Sequence, residues 1–245
     1  MDVGTATDVG RVRAGNEDAL LAVRADGARH GQILVAVADG MGGHKAGEVA
    51  SAMAVEALER ALRDVAPTAE PDELLAYAAQ LGNRNILEAA TEDPEKDGMG
   101  TTLVCALVDA DGQAVIANVG DSRAYGFTSS GTMLITIDHT WVNQQVLAGE
   151  MSEREARQSP FRNLLTRTLG NAAHVEVDLF KGFQLEPGDA LVLVSDGITC
   201  YLDESDFSSV LESTASAQEA AERLVEEAVR RGGSDNATAV VVRRR

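Results

Sequence analysis

Cysteine and histidine are scarce in this chain of 245 residues, which has two of the first and four of the second. Two cysteines make no disulfide framework and no zinc ribbon. None of the histidines pair at a metal-binding spacing such as HExxH. Cys105 stands inside the apolar run Leu103 to Val108, where a buried, inert thiol is expected. No run of about 18 or more apolar residues occurs, which excludes a membrane-spanning helix. The opening segment, Met1 to Arg13, has no apolar core of signal-peptide length. A cytoplasmic protein with no membrane partner is therefore expected. Basic residues number 21 against 39 acidic ones, a formal charge of −18. A field of that sign repels DNA and RNA backbones, so no nucleic-acid partner is expected. The acidity can attract metal cations, although most of these carboxylates are expected to serve solubility.

No repeat, low-complexity segment or Pro/Gly/Ser-rich linker divides the chain, so one domain over 1–245 is expected. Apolar runs of strand length recur at Ile33 to Ala38, Thr101 to Val108, Ala114 to Val119, Met133 to Ile137, Ala190 to Val194 and Ala237 to Val242. The turn Asp109 to Gly112 predicts an antiparallel hairpin. Helical spacing marks Ala46 to Val65, and Pro71 fits the first residue of a helix running to about Ala90. Ser152 with Glu155, and Ser216 with Glu219, fit capping boxes, the second opening a helix to Arg231. Two long helices follow one strand directly, so mixed or antiparallel sheets with helices packed outside are expected. Residues 138–162 are polar, carry the one tryptophan, Trp141, and read as an insertion that covers something. The basic end, Arg243 to Arg245, reads as the solvated end of a strand.

The informative feature is where aspartates fall. Asp39, Asp121, Asp196 and Asp235 each stand at the boundary of an apolar strand, beside glycine or a small residue. One Asp-Gly is an ordinary turn signal; four at strand boundaries point to a shared site. Strand ends that meet bring such carboxylates together, partly desolvated, and a cation relieves their repulsion. Oxygen-only ligands suit Mg²⁺ or Mn²⁺ rather than zinc or copper. Two such ions would lower the pKa of a bridging water and hold a phosphoryl oxygen. Gly40, lacking a side chain, leaves its carbonyl open to a metal. Arg13 offers a fork for phosphate oxygens, with Glu17 and Asp18 beside it. Lys45 is followed by Ala46, so the glycines before it are no P-loop. No GxSxG elbow occurs, and Cys200 is followed five residues later by Ser205 rather than arginine, so neither a serine nor a cysteine nucleophile is supported.

From Thr7 to Val242 the chain resembles the metal-dependent serine/threonine protein phosphatases of type 2C, in their compact bacterial form. The resemblance rests on Thr7 to Asp18, Ala38 to His44 with Gly47 to Ser51, Met99 to Thr102, Val119 to Arg123, Asp138-His139, Ser195 to Gly197 and Gly233 to Asn236, in that order. It implies an α+β fold, a four-layer sandwich of two mostly antiparallel sheets flanked by pairs of helices, and a flap at about 138–165 that tunes substrate choice. It implies two Mn²⁺ or Mg²⁺ ions, with Asp39 bridging, the Gly40 carbonyl added, and Asp196 and Asp235 completing the shell. Glu17 and Asp18 would hold metal-bound waters and Arg13 the substrate phosphate. A third ion would use Asp121 and Asp196, with Asn163 the best match for a flap ligand. The implied reaction is direct attack of a metal-bridging water on phosphoserine or phosphothreonine. Some relatives have histidine after the bridging Asp-Gly; Met41 stands there, leaving His44 or a metal-bound water as proton donor. Expected partners are phosphorylated proteins, including serine/threonine kinases, and a monomer is expected. A metal-free binding relative and a two-metal phosphodiesterase of another fold are the rivals; the four acids argue against the first, the charge and the motif order against the second.

Overall fold

The computed structural model describes residues 1–42 and 45–245. One sheet has the order β1 (Asp2–Asp8), β11 (Ala237–Arg243), β10 (Ala190–Val194), β7 (Arg123–Thr128), β8 (Gly131–Leu134). The other runs β2 (Asp18–Arg24), β3 (Ile33–Met41), β5 (Leu103–Val108), β6 (Gln113–Val119), β9 (Asp178–Gln184), with the short β4 (Gly100–Thr101) also on β3. Every described pairing is antiparallel, including the β5–β6 hairpin.

Strand alternation builds three apolar layers. Ile33, Val35 and Val37 of β3 face inward, with Val104 and Ala106 of β5, to meet Leu191, Leu193, Val240 and Val242 of the opposite sheet. The alternate residues Leu34, Ala36, Cys105 and Leu107 face outward, against α1 (Lys45–Asp64) and α2 (Pro71–Glu92). On the far side Val192, Val194, Ala239 and Val241 pack against α6 (Glu204–Ser213) and α7 (Ala217–Arg231). The layers are therefore helix, sheet, sheet, helix, as expected. Cys105 is fully buried, and burial pushes its thiol up to about 12.

Several local expectations are corrected. Four strands, β1, β2, β7 and β9, add to those expected: β1 and β9 have no continuous apolar run and keep several residues exposed, whereas β2 carries the run Ala19 to Val23 and β7 is buried from Ala124 to Gly126. The strand expected at Met133 to Ile137 is instead Gly131–Leu134. The ladder stops there because the Thr136 hydroxyl accepts the Ala124 N–H at 3.1 Å. Ser152 and Glu155 form a reciprocal capping box on α4 (Glu153–Gln158). Ser216 caps α7, but Glu219 accepts from the Ala215 N–H, so the second box is incomplete. The basic end is tied down at Arg243 and Arg244, while Arg245 stays exposed. Arg243 donates to the Thr214 and Leu211 carbonyls, Arg244 to the Leu185 carbonyl, and Arg245 pairs with Asp2.

The insertion folds as α3 (Trp141–Leu147) and α4, closed at its base by the Thr140–Leu165 bridge. Trp141 meets Phe161 edge-on at 5.7 Å. None of the described helices is long and apolar enough to cross a membrane.

Candidate metal centre

At one end of the sandwich the inward-facing positions change from apolar to polar. The alternation that turns Val35 and Val37 inward puts Asp39 on the same side. Asp18 stands opposite Asp39 in the β2–β3 register. On β10, Leu191 and Leu193 point inward, and Ser195 takes the next such place. Its hydroxyl donates to Asp18 Oδ2 at 2.8 Å and accepts the Thr238 N–H at 3.0 Å. Asp196 follows as the first residue of α5 (Asp196–Thr199), and Asp235 lies just before β11. Asp121 sits in the turn that carries the chain from β6 in one sheet to β7 in the other.

These acids feel one another. Burial raises the Asp39 carboxyl well above its ordinary range, and the charges of Asp18, Asp196, Asp121 and Asp235 raise it further. Burial, with lesser repulsion from Asp196 and Asp235, pushes Asp18 up to about 7. Burial and the charges of Asp196 and Asp138 push Asp121 up to about 8. Asp196 is raised by burial and by Asp235, against a hydrogen bond with Asp39. Asp18 Oδ1 and Asp196 Oδ1 are buried with no partner. Buried carboxylate oxygens without donors are costly, and a hard cation is the group that oxygen-only ligands of this kind fit. Among the described residues no three His, Cys, Asp or Glu side chains close into a finished cage. Mutual repulsion opposes closer approach, and one carboxylate is engaged elsewhere: Arg13 Nη2 donates to Asp235 Oδ2 at 2.6 Å.

Of the residues singled out from sequence, Asp18, Asp39, Asp121, Asp196 and Asp235 come together, with Arg13 at their edge; its side chain is 52% exposed. Glu17 is placed by its backbone, whose N–H donates to Asn236 Oδ1 at 2.8 Å and whose carbonyl accepts from Gly40 and Ser51. At Gly40 a Cβ would fall 2.1 Å from the Gly47 carbonyl oxygen, so close approach of α1 requires glycine there. Asn163 is exposed on the flap, and among the described residues its side chain makes no hydrogen bond to Asp121 or Asp196. His44 lies outside the described residues. Sequence reasoning gave no role to Ser195 or Asn236. Asn236 Nδ2 donates to the Val9 and Gly15 carbonyls and so fixes the loop that carries Arg13. Strand parity, carried past the apolar run, is the signal that singles out Ser195.

The model of the protein phosphatase 2C family matches residues 11–231. The chain belongs to that family. A serine/threonine phosphatase of Listeria welshimeri, stp, is 39% identical over 97% of this chain and 94% of its own length. The solved serine/threonine phosphatase of S. agalactiae is 34% identical and covers 100% of this chain and 99% of its own, with a TM-score of 0.92. The catalytic domain of the phosphatase PstP, solved with two manganese ions, is 34% identical, with a TM-score of 0.81 over 98% of this chain and 96% of its own. The family resemblance and its α+β sandwich are thereby established, and the chain is a serine/threonine protein phosphatase acting on phosphoproteins.

Proposed function

We propose that this phosphatase hydrolyses phosphoserine and phosphothreonine esters at the acidic end of the sandwich. Two Mn²⁺ or Mg²⁺ ions would be held there by Asp39, the Gly40 carbonyl, Asp196 and Asp235, and a third by Asp121 and Asp196, with Asn163 from the flap. The observation that carries this reading is the pair of buried, unpartnered oxygens, Asp18 Oδ1 and Asp196 Oδ1, within a group of acids raised by burial and mutual repulsion. Manganese in a structural neighbour supports the choice of ion. When bound, such ions neutralise the carboxylates, activate a water for in-line attack and offset the charge on the phosphoryl oxygens.

The chain's own residues do the rest. Ser195 occupies one oxygen of Asp18 and leaves the other to orient water, with Glu17 alongside. Arg13 neutralises Asp235 in this structure; once a cation takes over that task, its guanidinium forks onto the substrate phosphate. The leaving serine oxygen takes its proton from His44 or from a water of the site. The whole chain, 1–245, is read as one catalytic domain with the flap at 138–165. We read it as a cytoplasmic monomer that acts on phosphorylated proteins, serine/threonine kinases among them. The charge of −18 argues against nucleic acid.

The test is phosphate release from a phosphothreonine peptide with Mn²⁺, with and without chelator. Chelator and Asp39→Asn should each lower the rate by at least about a hundredfold. Full activity in Asp39→Asn would place the site elsewhere.

A further inference from the structure

Two of the segments that carry the family resemblance, Met99 to Thr102 and Asp138-His139, hold no residue with a role in the reaction proposed above. Both converge on the Gly120–Ser122 turn. Thr102 lies on the Asp39 side. Its N–H donates to the Asp39 carbonyl at 2.9 Å, and its hydroxyl accepts the Asp39 N–H at 2.9 Å. The same hydroxyl shares a 2.7 Å hydrogen bond with Ser122 Oγ. Gly120 leaves no slack between them: its φ is +108°, and a Cβ there would fall 2.6 Å from Thr102 Cγ2.

His139 holds the turn from the flap side. It is 6% exposed. Its N–H donates to the Gly120 carbonyl at 3.0 Å, and its Nδ1 accepts the Gly120 N–H at 2.9 Å. Its Nε2 lies 3.2 Å from Asp178 Oδ2 and 3.0 Å from Arg167 Nη1. Arg167 holds Asp178 through its other oxygen at 2.6 Å. The His139 carbonyl accepts the Thr166 N–H at 2.8 Å, next to the Thr140–Leu165 bridge that closes the flap. Asp121 is thus carried on a turn with one anchor on the Asp39 strand and one on the flap base.

We propose that Thr102 and His139 are positioning residues that clamp the Gly120–Ser122 turn, setting Asp121 relative to both Asp39 and the flap. This rests on the reading of the acids as ligands of divalent ions. Neither residue touches the reacting atoms. Each acts through hydrogen bonds to the turn, so losing a hydroxyl or a ring acceptor should matter while losing volume should not.

The test uses the full chain with Thr102→Val, Thr102→Ser, His139→Ala and His139→Asn. Serine keeps the hydroxyl, and the asparagine amide oxygen stands in for the Nδ1 acceptor. Mn²⁺ binding is followed by titration calorimetry, and kcat and KM are measured on a phosphothreonine peptide. Thr102→Val and His139→Ala should weaken the weakest class of Mn²⁺ site about tenfold and lower kcat with KM little changed. Thr102→Ser and His139→Asn should stay within about threefold of wild type. Should one substitution prevent folding, the pair at the other position decides. Wild-type Mn²⁺ binding with Thr102→Val and His139→Ala unaffected overturns the clamp alone, as does equal damage in the conservative variants. A wild-type chain that binds no Mn²⁺ overturns the ligand reading and the clamp with it.

Discussion

Asp39 and Asp18 meet because two antiparallel strands put them in register, and both lie on the side that the rest of their strands fills with valine, isoleucine and leucine. The acids were legible in the sequence because each interrupts an apolar run beside a small residue. Ser195 and Thr102 were not, because a hydroxyl after a strand is an ordinary terminator until its face is known. Arg13 was legible as a phosphate fork but not as the partner of Asp235, a contact across 222 positions of chain. Replacing Arg13 by alanine should lower kcat/KM on a phosphothreonine peptide about 10- to 100-fold, mostly through KM, as expected for loss of hydrogen bonds to a charged group. Lysine should restore only part, since it cannot fork. Initial rates over a range of peptide concentrations check this, and an unchanged KM in the alanine variant would remove Arg13 from phosphate binding.

Among the elements, the paired helices and the central strands β3, β5, β6, β10 and β11 were legible, since their apolar runs or helical spacing are long. The outer strands were not. β1 and β9 sit at sheet edges, and their sequences, DVGTATD and DLFKGFQ, alternate with polar residues that face solvent. The flap was legible as an interruption, with the start of α4 marked by its Ser152–Glu155 capping box, but α3 was not, because it is only about two turns long. The flap displays Leu147, the last residue of α3, and Phe161 and Leu164, in the segment after α4, on the surface. If this surface seats the peptide around the phosphate, Leu147→Ala with Phe161→Ala should raise KM for a phosphopeptide several-fold. KM for p-nitrophenyl phosphate, which reaches only the acidic centre, should stay the same. Equal effects on both substrates would show that the flap acts on the centre itself rather than on the peptide.

At the scale of the whole molecule, the fold concentrates uncompensated acid at one end of an already acidic protein. An acid whose pKa is raised by folding keeps its proton more tightly in the folded state. It favours folding most at low pH, and that contribution is lost as pH rises towards the folded value. For Asp18 and Asp121 the window runs from 3.8 to about 7 and about 8. Chelator-treated protein should therefore lose thermal stability as pH rises through this window. Added Mn²⁺ should raise Tm more at about pH 8 than at about pH 5.5, because it competes with fewer protons. Scanning calorimetry at both values checks it; an equal or smaller gain at the higher pH would mean that the ion binds away from these acids.

The most direct measurement is anomalous diffraction at the manganese edge from crystals grown with Mn²⁺. The account predicts two strong peaks about 3.5–4 Å apart, bracketed by Asp39, Asp196 and Asp235, with a weaker third beside Asp121. Manganese bound only at other surface carboxylates, with the Asp39 end of the sandwich empty, would contradict it.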